Sequence, residues 1–250
     1  MQSGTLTGYN MKVTLLGTGD AIGTPKVGCD CPQCTHAKDT GSMRLRTSLL
    51  VENAGKHILV DSSPDLRQQL LLNGSPHIDA VLWTHGHYDH FIGFGEFYRV
   101  QKIPPVFAAP PVLDYCADLF RFLTFDKGVI QPYEPFDIFG MTITLFIVKH
   151  PPAFTCGILF ETEESRVAFT SDTNIDIPKK SLDLLTNLDL LLLDAFVPSD
   201  IRIHKHMNYL DACTLAGNLS PKEYRCVHLS HLMPWDLPHL GNDGDIFEFS

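Results

Sequence analysis

Short runs of apolar and β-branched residues recur along the chain, separated by turn residues or by longer amphipathic stretches. Runs of this length that are bounded by Gly, Pro, Asn and Asp are typical of β-strands. We predict strands over residues 12–16, 47–51, 57–60, 80–84, 142–148, 155–160, 167–170, 188–193 and 226–229. Helices are predicted over residues 64–72, 110–122, 178–185 and 209–219, and the first three begin with proline. This mixture predicts an α/β protein whose sheets are covered by helices.

Polar residues that can bind metal ions stand at or just beyond the ends of six of these runs: Asp61, His85, His150, Asp172, Asp194 and His228. Taken singly, several have a simpler structural explanation. Asp61 can cap the helix that follows it, Asp172 can cap a turn, and His150 can be an ordinary loop residue. Taken together, they predict a cleft at one edge of the sheets, because ligands in α/β folds bind beyond the carboxyl ends of strands.

The densest group of such residues is the run Thr-His-Gly-His-Tyr-Asp-His over residues 84–90. Three imidazoles and one carboxylate within six positions are the ligand types of zinc, manganese and iron. A carboxylate interleaved with histidines lets one loop supply two adjacent ions. The run therefore predicts a two-metal hydrolase.

The chain has 250 residues, 44% of them hydrophobic, and no low-complexity tract or long linker divides it. We therefore expect one domain over residues 1–250. The first eleven residues do not resemble a secretory signal, and no segment approaches the roughly 20 apolar residues that span a bilayer. Together with seven cysteines, an odd number, this predicts a soluble cytoplasmic protein with reduced thiols.

The formal net charge is −10, from 29 acidic and 19 basic residues. Such a balance leaves little to neutralise a nucleic-acid backbone, so an extended nucleic-acid partner is not expected, nor is a membrane. A small anionic substrate remains compatible, because two divalent ions would make the cleft locally positive. The sequence leaves monomer and homodimer both open.

The run at residues 84–90, followed by a strand-end His, an Asp within Ser-Asp-Thr and a late strand-end His, resembles the metallo-β-lactamase superfamily. The resemblance implies an αββα sandwich of two mixed β-sheets flanked by helices, with two divalent metal ions (Zn, Mn or Fe) at one edge. The ligands that it implies are His85, His87 and His150 for one ion, Asp89, His90 and His228 for the other, and Asp172 as the bridge. Asp61 would orient a ligand histidine, and Asp89 is also assigned a catalytic role.

A second pattern, Gly-Cys-Asp-Cys-Pro-Gln-Cys over residues 28–34, resembles the PhnP-type cyclic phosphodiesterases within that superfamily. In them a loop of this kind and a late histidine hold a structural zinc. The resemblance implies a Cys₃His site in a loop at residues 28–36, formed by Cys29, Cys31, Cys34 and His231. His36 is the alternative fourth ligand, and three reduced thiols without metal are the simpler structural explanation.

The phosphodiesterases of the superfamily also carry a histidine that binds no metal, just before a late helix. His206 matches it and would donate a proton to the leaving oxygen, with His204 as the alternative. The function implied is hydrolysis of a small, cyclic phosphodiester, such as a phosphoribosyl cyclic phosphate or a 2′,3′-cyclic nucleotide. A transfer-RNA 3′-processing endonuclease, a thioester or lactone hydrolase, and a non-catalytic metal-dependent binding protein are the alternatives.

Overall fold

The computed structural model describes residues 11–249, so the N-terminal segment that we judged unlike a secretory signal lies almost wholly outside the described residues. The strands are β1 Met11–Gly17, β2 Ser48–Asn53, β3 Lys56–Val60, β4 Ala80–Trp83, β5 Val106–Ala108, β6 Lys127–Val129, β7 Phe136–Ile138, β8 Met141–His150, β9 Ala153–Glu161, β10 Arg166–Phe169, β11 Leu190–Asp194, β12 Glu223–Val227 and β13 Ile246–Phe249. The α-helices are α1 Pro32–Thr40, α2 Leu66–Leu72, α3 Tyr88–Phe91, α4 Phe97–Val100, α5 Pro110–Leu119, α6 Lys179–Leu182 and α7 Tyr209–Leu219, and a 3₁₀-helix covers Ile92–Glu96.

The strands form two mixed sheets flanked by helices, which confirms the αββα metallo-β-lactamase sandwich. The first sheet has seven strands in the order β13-β1-β2-β3-β4-β5-β6, and the second has six in the order β12-β11-β10-β9-β8-β7. Strands β3 to β6 pair in parallel, as do β10 to β12, while the remaining pairs are antiparallel. The carboxyl ends of the parallel strands in each sheet carry the residues that form the site described below.

Alternation along β11 assigns each face of the second sheet to a separate apolar core. Leu190 and Leu192 belong to the core between the two sheets, whereas Leu191 and Leu193 pack in a second core that includes Ala212 of α7. Successive side chains of a strand face opposite sides, so a strand covered on both faces consists of continuous apolar residues. This explains why the run of four leucines ends only at a polar residue at the edge of the sheet.

Every predicted strand and helix is present, but the sequence missed several elements. Strands β5, β6 and β7 have three residues each, which is too few for a periodic pattern. Strand β13, at the edge of the first sheet beside β1, was also not predicted. One assignment was wrong: we treated residues 28–36 as a loop, but helix α1 begins at Pro32. A proline at its first turn and Gly41 in the left-handed conformation at its end (φ 75°) delimit this helix.

Within residues 11–249, none of the helices has the length and apolar character needed to cross a membrane.

Candidate metal centre

The chain turns sharply where three strand ends reach the site. Asp61 follows β3 with φ 57°, Ser171 follows β10 by two residues with φ 56°, and His228 follows β12 with φ 58°. Residues other than glycine rarely adopt a positive φ, which costs of order 1–3 kcal/mol each and is concentrated at functional sites. The turns bring polar side chains from both sheets to the same edge.

The first group of ligand atoms consists of three imidazoles and one carboxylate: His85, His87, His150 and Asp172. His87 Nδ1 lies 3.1 Å from His85 Nε2 and 2.9 Å from His150 Nε2. Asp172 Oδ2 lies 3.6 Å from Nε2 of both His85 and His150. Two ligands about 2.1 Å from the same tetrahedral ion are separated by roughly 3.4 Å, so these spacings fit one metal ion.

The second group consists of Asp89, His90 and His228, and the same Asp172 faces it. His90 Nε2 lies 3.2 Å from Asp89 Oδ2 and 3.4 Å from Asp172 Oδ1. His228 Nε2 lies 3.6 Å from Asp89 Oδ2 and 3.3 Å from Asp172 Oδ2. Asp172 is thus within contact distance of imidazoles in both groups, so its carboxylate could serve either group.

The hydrogen bonding at the centre provides a test of whether these residues fit a metal. Among residues 11–249, His90 Nε2, His228 Nε2 and Asp172 Oδ1 are buried and have no hydrogen-bond partner. A buried polar group without a partner costs about 1–3 kcal/mol. Because all three atoms belong to the ligand groups, bound cations would compensate them, and imidazole with carboxylate suits zinc, manganese or iron.

The two groups differ in protonation. Burial lowers the pKa of His85 well below its usual range and lowers that of His150 to about 4, so both imidazoles are neutral. Burial also acts to lower the pKa of His90, but the charges of Asp172 and Asp89 outweigh it and raise this pKa well above its usual range. A metal ion binds neutral imidazole, so an ion that bound at the second group would displace the proton of His90.

Asp61 contacts His90 directly and is linked to His85 through Thr84; both histidines are candidate ligands. Its Oδ2 accepts a hydrogen bond from His90 Nδ1 at 2.7 Å, and its two oxygens accept further bonds from the Thr84 backbone N–H and hydroxyl, each at 2.8 Å. The Thr84 hydroxyl donates to Asp61, so its oxygen accepts a hydrogen bond from His85 Nδ1–H at 3.0 Å. Such contacts fix the ring orientation and leave Nε2 free to bind metal.

His206 lies beside the second group. Its Nδ1 donates to Asp194 Oδ2 at 2.7 Å, and its ring stacks on Phe196 with centroids 4.4 Å apart and on His228 with centroids 5.0 Å apart. One of its ring nitrogens lies within 4.8 Å of ligand atoms of Asp172 and His228. His204, the alternative, has an exposed side chain.

Asp194 is a site residue to which the sequence analysis gave no role. It is fully buried at the end of β11, and besides His206 it accepts a hydrogen bond from the Thr173 backbone N–H at 2.8 Å. The sequence shows that Asp194 ends an apolar run, but it does not show that Asp194 pairs with His206. His206 is twelve residues further on, in a segment without periodic pattern.

The structure brings together Cys29, Cys31, Cys34 and His231 in a second cluster. His231 Nδ1 lies 3.7, 3.5 and 3.7 Å from the three sulfur atoms, in that order. Zinc bonds of about 2.3 Å to sulfur and 2.0–2.1 Å to nitrogen place tetrahedral ligands roughly 3.6 Å apart, so the spacing fits one zinc ion. His36 stacks near Trp235 instead, with ring centroids 5.6 Å apart.

The cysteine-bearing segment is joined to the C-terminal segment by buried and part-buried polar contacts. Arg44 donates to the carbonyls of Met233 (2.8 Å) and Pro234 (3.0 Å), and its guanidinium lies 4.0 Å from the centre of the Trp235 ring. Trp235 Nε1 in turn donates to the carbonyl of Gln33 in α1 at 3.1 Å. These contacts fix the position of the segment that carries His231.

One short segment carries a member of each cluster, since His228 and His231 are three positions apart. Between them, the Leu229 backbone N–H donates to the carbonyl of Thr18, and the Ser230 backbone N–H donates to the carbonyl of Phe196, both at 2.8 Å. The segment is therefore held in place by backbone hydrogen bonds to neighbouring loops.

The chain is similar to known proteins over most of its length. The family described as "Beta-lactamase superfamily domain" matches residues 56–229. The chain is 32% identical to an octanoyltransferase of Porphyromonas gingivalis, in a match that covers 92% of this chain and about half (48%) of that protein.

Two solved structures are similar over nearly the whole chain. A diphosphatase of the PhnP family is 29% identical with a TM-score of 0.86, and the match covers 96% of this chain and 97% of that one. Zinc-bound PqqB from Methylobacterium extorquens is 22% identical with a TM-score of 0.82. The match covers 94% of this chain and 99% of that one, and it supports the fold. The chain therefore belongs to the metallo-β-lactamase superfamily.

Proposed function

We propose that the protein is a phosphodiesterase with two divalent metal ions, and that its substrate is a small, cyclic phosphodiester. The observation that carries this proposal is the position of Asp172, whose carboxylate lies 3.6 Å from His150 Nε2 and 3.3 Å from His228 Nε2. One carboxylate between two groups of imidazoles is the arrangement that holds a pair of ions.

Divalent ions at such a site supply Lewis-acid stabilisation of a phosphoryl group and make water a stronger nucleophile near neutral pH. His206 performs the remaining proton transfer, because its Nδ1 is held by Asp194 and its Nε2 is left to protonate the leaving oxygen. A general acid of this kind contributes typically 10²–10⁴-fold to the rate.

Two observations favour a small phosphate ester over the alternatives. The similar structure of the PhnP family is named a diphosphatase, so phosphoryl chemistry occurs in a protein with 29% identity over nearly the full chain. The formal net charge of −10 disfavours a transfer-RNA precursor, which requires a basic surface.

We further propose that the cysteine cluster holds a structural zinc. Its four ligands leave no position for substrate, and closed sites of this type stabilise folds. Together with the pair at the catalytic centre, this makes three metal ions per chain.

A second candidate function is hydrolysis of an acyl thioester. The observation that favours it is the similarity to a protein named octanoyltransferase, since that name describes the transfer of an acyl group. The unmatched half of that relative is the simpler source of its acyl chemistry, so we rank this function second.

The test is to measure bound zinc, manganese and iron and then assay one substrate panel. The panel contains a cyclic ribose phosphate, 2′,3′-cyclic nucleotides, bis-nitrophenyl phosphate, a precursor transfer RNA and an octanoyl thioester. We expect metal-dependent hydrolysis of the small phosphodiesters, abolished in Asp172→Asn and retained in Asp176→Asn, whose side chain is exposed. Turnover of the thioester or the RNA alone would contradict the proposal.

A further inference from the structure

An apolar cleft opens directly beside the first metal-binding group. It has a volume of about 360 Å³, and its lining includes His87, Pro111, Val112, Tyr115, Pro152 and Phe154. One wall comes from the first half of α5, and the other from the turn between β8 and β9 together with the start of β9. His87 belongs to the first candidate metal-binding group. A group bound in the cleft would therefore be continuous with a substrate at the metal centre.

The ring of Tyr115 packs against the metal-binding loop itself. A Cβ atom placed on Gly86 would lie 2.6 Å from Tyr115 Cδ1 and 3.0 Å from Cε1, so only glycine allows this contact. The Tyr115 ring also approaches Phe91 edge-on, with centroids 6.1 Å apart. The ring is thus positioned by its neighbours although the side chain is 59% exposed.

The lining determines what kind of group fits. No lining residue, all of them within residues 11–249, is Asp, Glu, Lys or Arg. A phosphate or a carboxylate would find no charge partner there. The side chains of Tyr115 and Phe154, the latter 38% exposed, offer aromatic surface to the cleft, and aromatic faces stack on the planar bases of nucleotides.

We propose that this cleft, the Tyr115 cleft, binds an uncharged aromatic ring of the substrate, and that this ring is a nucleobase. The proposal rests on the proposed phosphodiesterase function and specifies it: the phosphodiester lies at the metal centre while the base stacks on Tyr115. It favours a 2′,3′-cyclic nucleotide over a cyclic phosphate of a sugar that carries no base.

The experiment compares two substrates that share a five-membered cyclic phosphate: 2′,3′-cyclic AMP, and glycerol 1,2-cyclic phosphate, which lacks a base. Wild type, Tyr115→Ala, Phe154→Ala and the conservative Tyr115→Phe are assayed for KM and kcat. Tyr98→Ala is the matched control, because Tyr98 is also an exposed tyrosine (55%) and does not line the cleft. Calorimetric binding of AMP, ribose 5-phosphate and octanoate provides a second readout that requires no turnover.

We expect wild type to prefer 2′,3′-cyclic AMP, and Tyr115→Ala to raise KM for it about 10-fold, as loss of one stacking contact predicts. Tyr115→Phe should retain the preference, and Tyr98→Ala should behave as wild type. Equal kcat/KM for both substrates, or a preference that both alanine variants retain, would overturn the proposal.

The binding measurements separate the cleft from the reaction. If neither cyclic phosphate is hydrolysed, the phosphodiesterase function fails, while AMP binding that is tighter than ribose 5-phosphate binding and lost in Tyr115→Ala still supports the cleft. Octanoate binding that depends on Tyr115, without AMP binding, would show that the cleft holds an acyl chain and would refute the nucleobase.

Discussion

Asp194 Oδ2 accepts a hydrogen bond from His206 Nδ1 at 2.7 Å, at a carboxylate that is fully buried. This contact makes Nδ1 the donor to Asp194 and leaves Nε2 for the substrate. It also holds the imidazole in its stack on Phe196. The pair therefore connects the end of β11 to the proposed proton-transfer step.

The first prediction concerns the leaving group. His206→Ala should lower kcat by about 10²–10⁴-fold on alkyl or ribosyl esters, which need a proton on the leaving oxygen, and far less on nitrophenyl esters. Asp194→Asn should show the same selectivity with a smaller loss. The measurement is kcat on both types of ester, together with the metal content of each variant. An equal loss of kcat on both ester types, or a loss of bound metal, would show that His206 is not the general acid.

The second prediction concerns Asp172, the carboxylate proposed to serve both ligand groups. Asp172→Asn removes a negative charge that both ligand groups share, so it should reduce the metal content of the catalytic centre by more than one ion per chain. Mass spectrometry of the bound metals gives the stoichiometry, with Asp176→Asn as the control. Loss of one ion at most would mean that Asp172 serves a single site.

The third prediction concerns Asp61, which touches no substrate in this proposal. Asp61→Asn weakens the hold on His90, and loss of such a contact typically costs 10–100-fold in metal affinity or activity. Titration with a competing chelator measures the affinity. Asp183→Asn, a change at an exposed surface position, should leave affinity unchanged; an Asp61 variant with normal affinity would assign this carboxylate to folding alone.

The fourth prediction concerns the structural zinc. Cys31→Ser should remove one zinc per chain, spare the catalytic ions, and lower Tm by roughly 5–10 °C, as expected for a loss of about 2–3 kcal/mol. Metal analysis and calorimetric melting test both parts. Cys213→Ser changes a half-buried cysteine outside the cluster and should keep all the zinc; the same zinc content in both variants would exclude the site.

The fifth prediction uses the metal-free protein. Burial acts to raise the pKa of the Cys31 thiol, but hydrogen bonds from Cys34 and His231 outweigh it and lower the pKa to about 6. After the metal is removed by a chelator, the rate of alkylation of Cys31 should therefore increase with pH, with the midpoint of the increase near pH 6, since the thiolate is the nucleophile. Added zinc should protect the thiol, and a midpoint near 9 would contradict the geometry.

Much of the centre could be predicted because its residues follow strands whose pattern is clear. Asp61 and His228 come directly after β3 and β12, so locating the strands located the ligands. The apolar runs were equally informative for the core, since burial on both faces leaves few polar positions.

Other features had no local signal. Helix α1 buries only Cys34 and Ala37 along its length, too few apolar positions to form a periodic pattern. The contact between Gly86 and Tyr115 joins residues 29 positions apart and depends on how α5 packs on the metal-binding loop. Asp194 had the right position, but the pairing that gives it a role exists only in the folded chain.

The short segment from His228 to His231 has a thermodynamic consequence. Because it supplies a ligand to each cluster, filling one cluster restricts the conformations from which the other must bind its ion. The two binding equilibria are then linked, and the coupling free energy is the same in either direction. Zinc at the cysteine cluster would thus tighten ion binding at the catalytic centre, so Cys31→Ser should keep the number of catalytic ions at saturating metal but bind them with lower affinity.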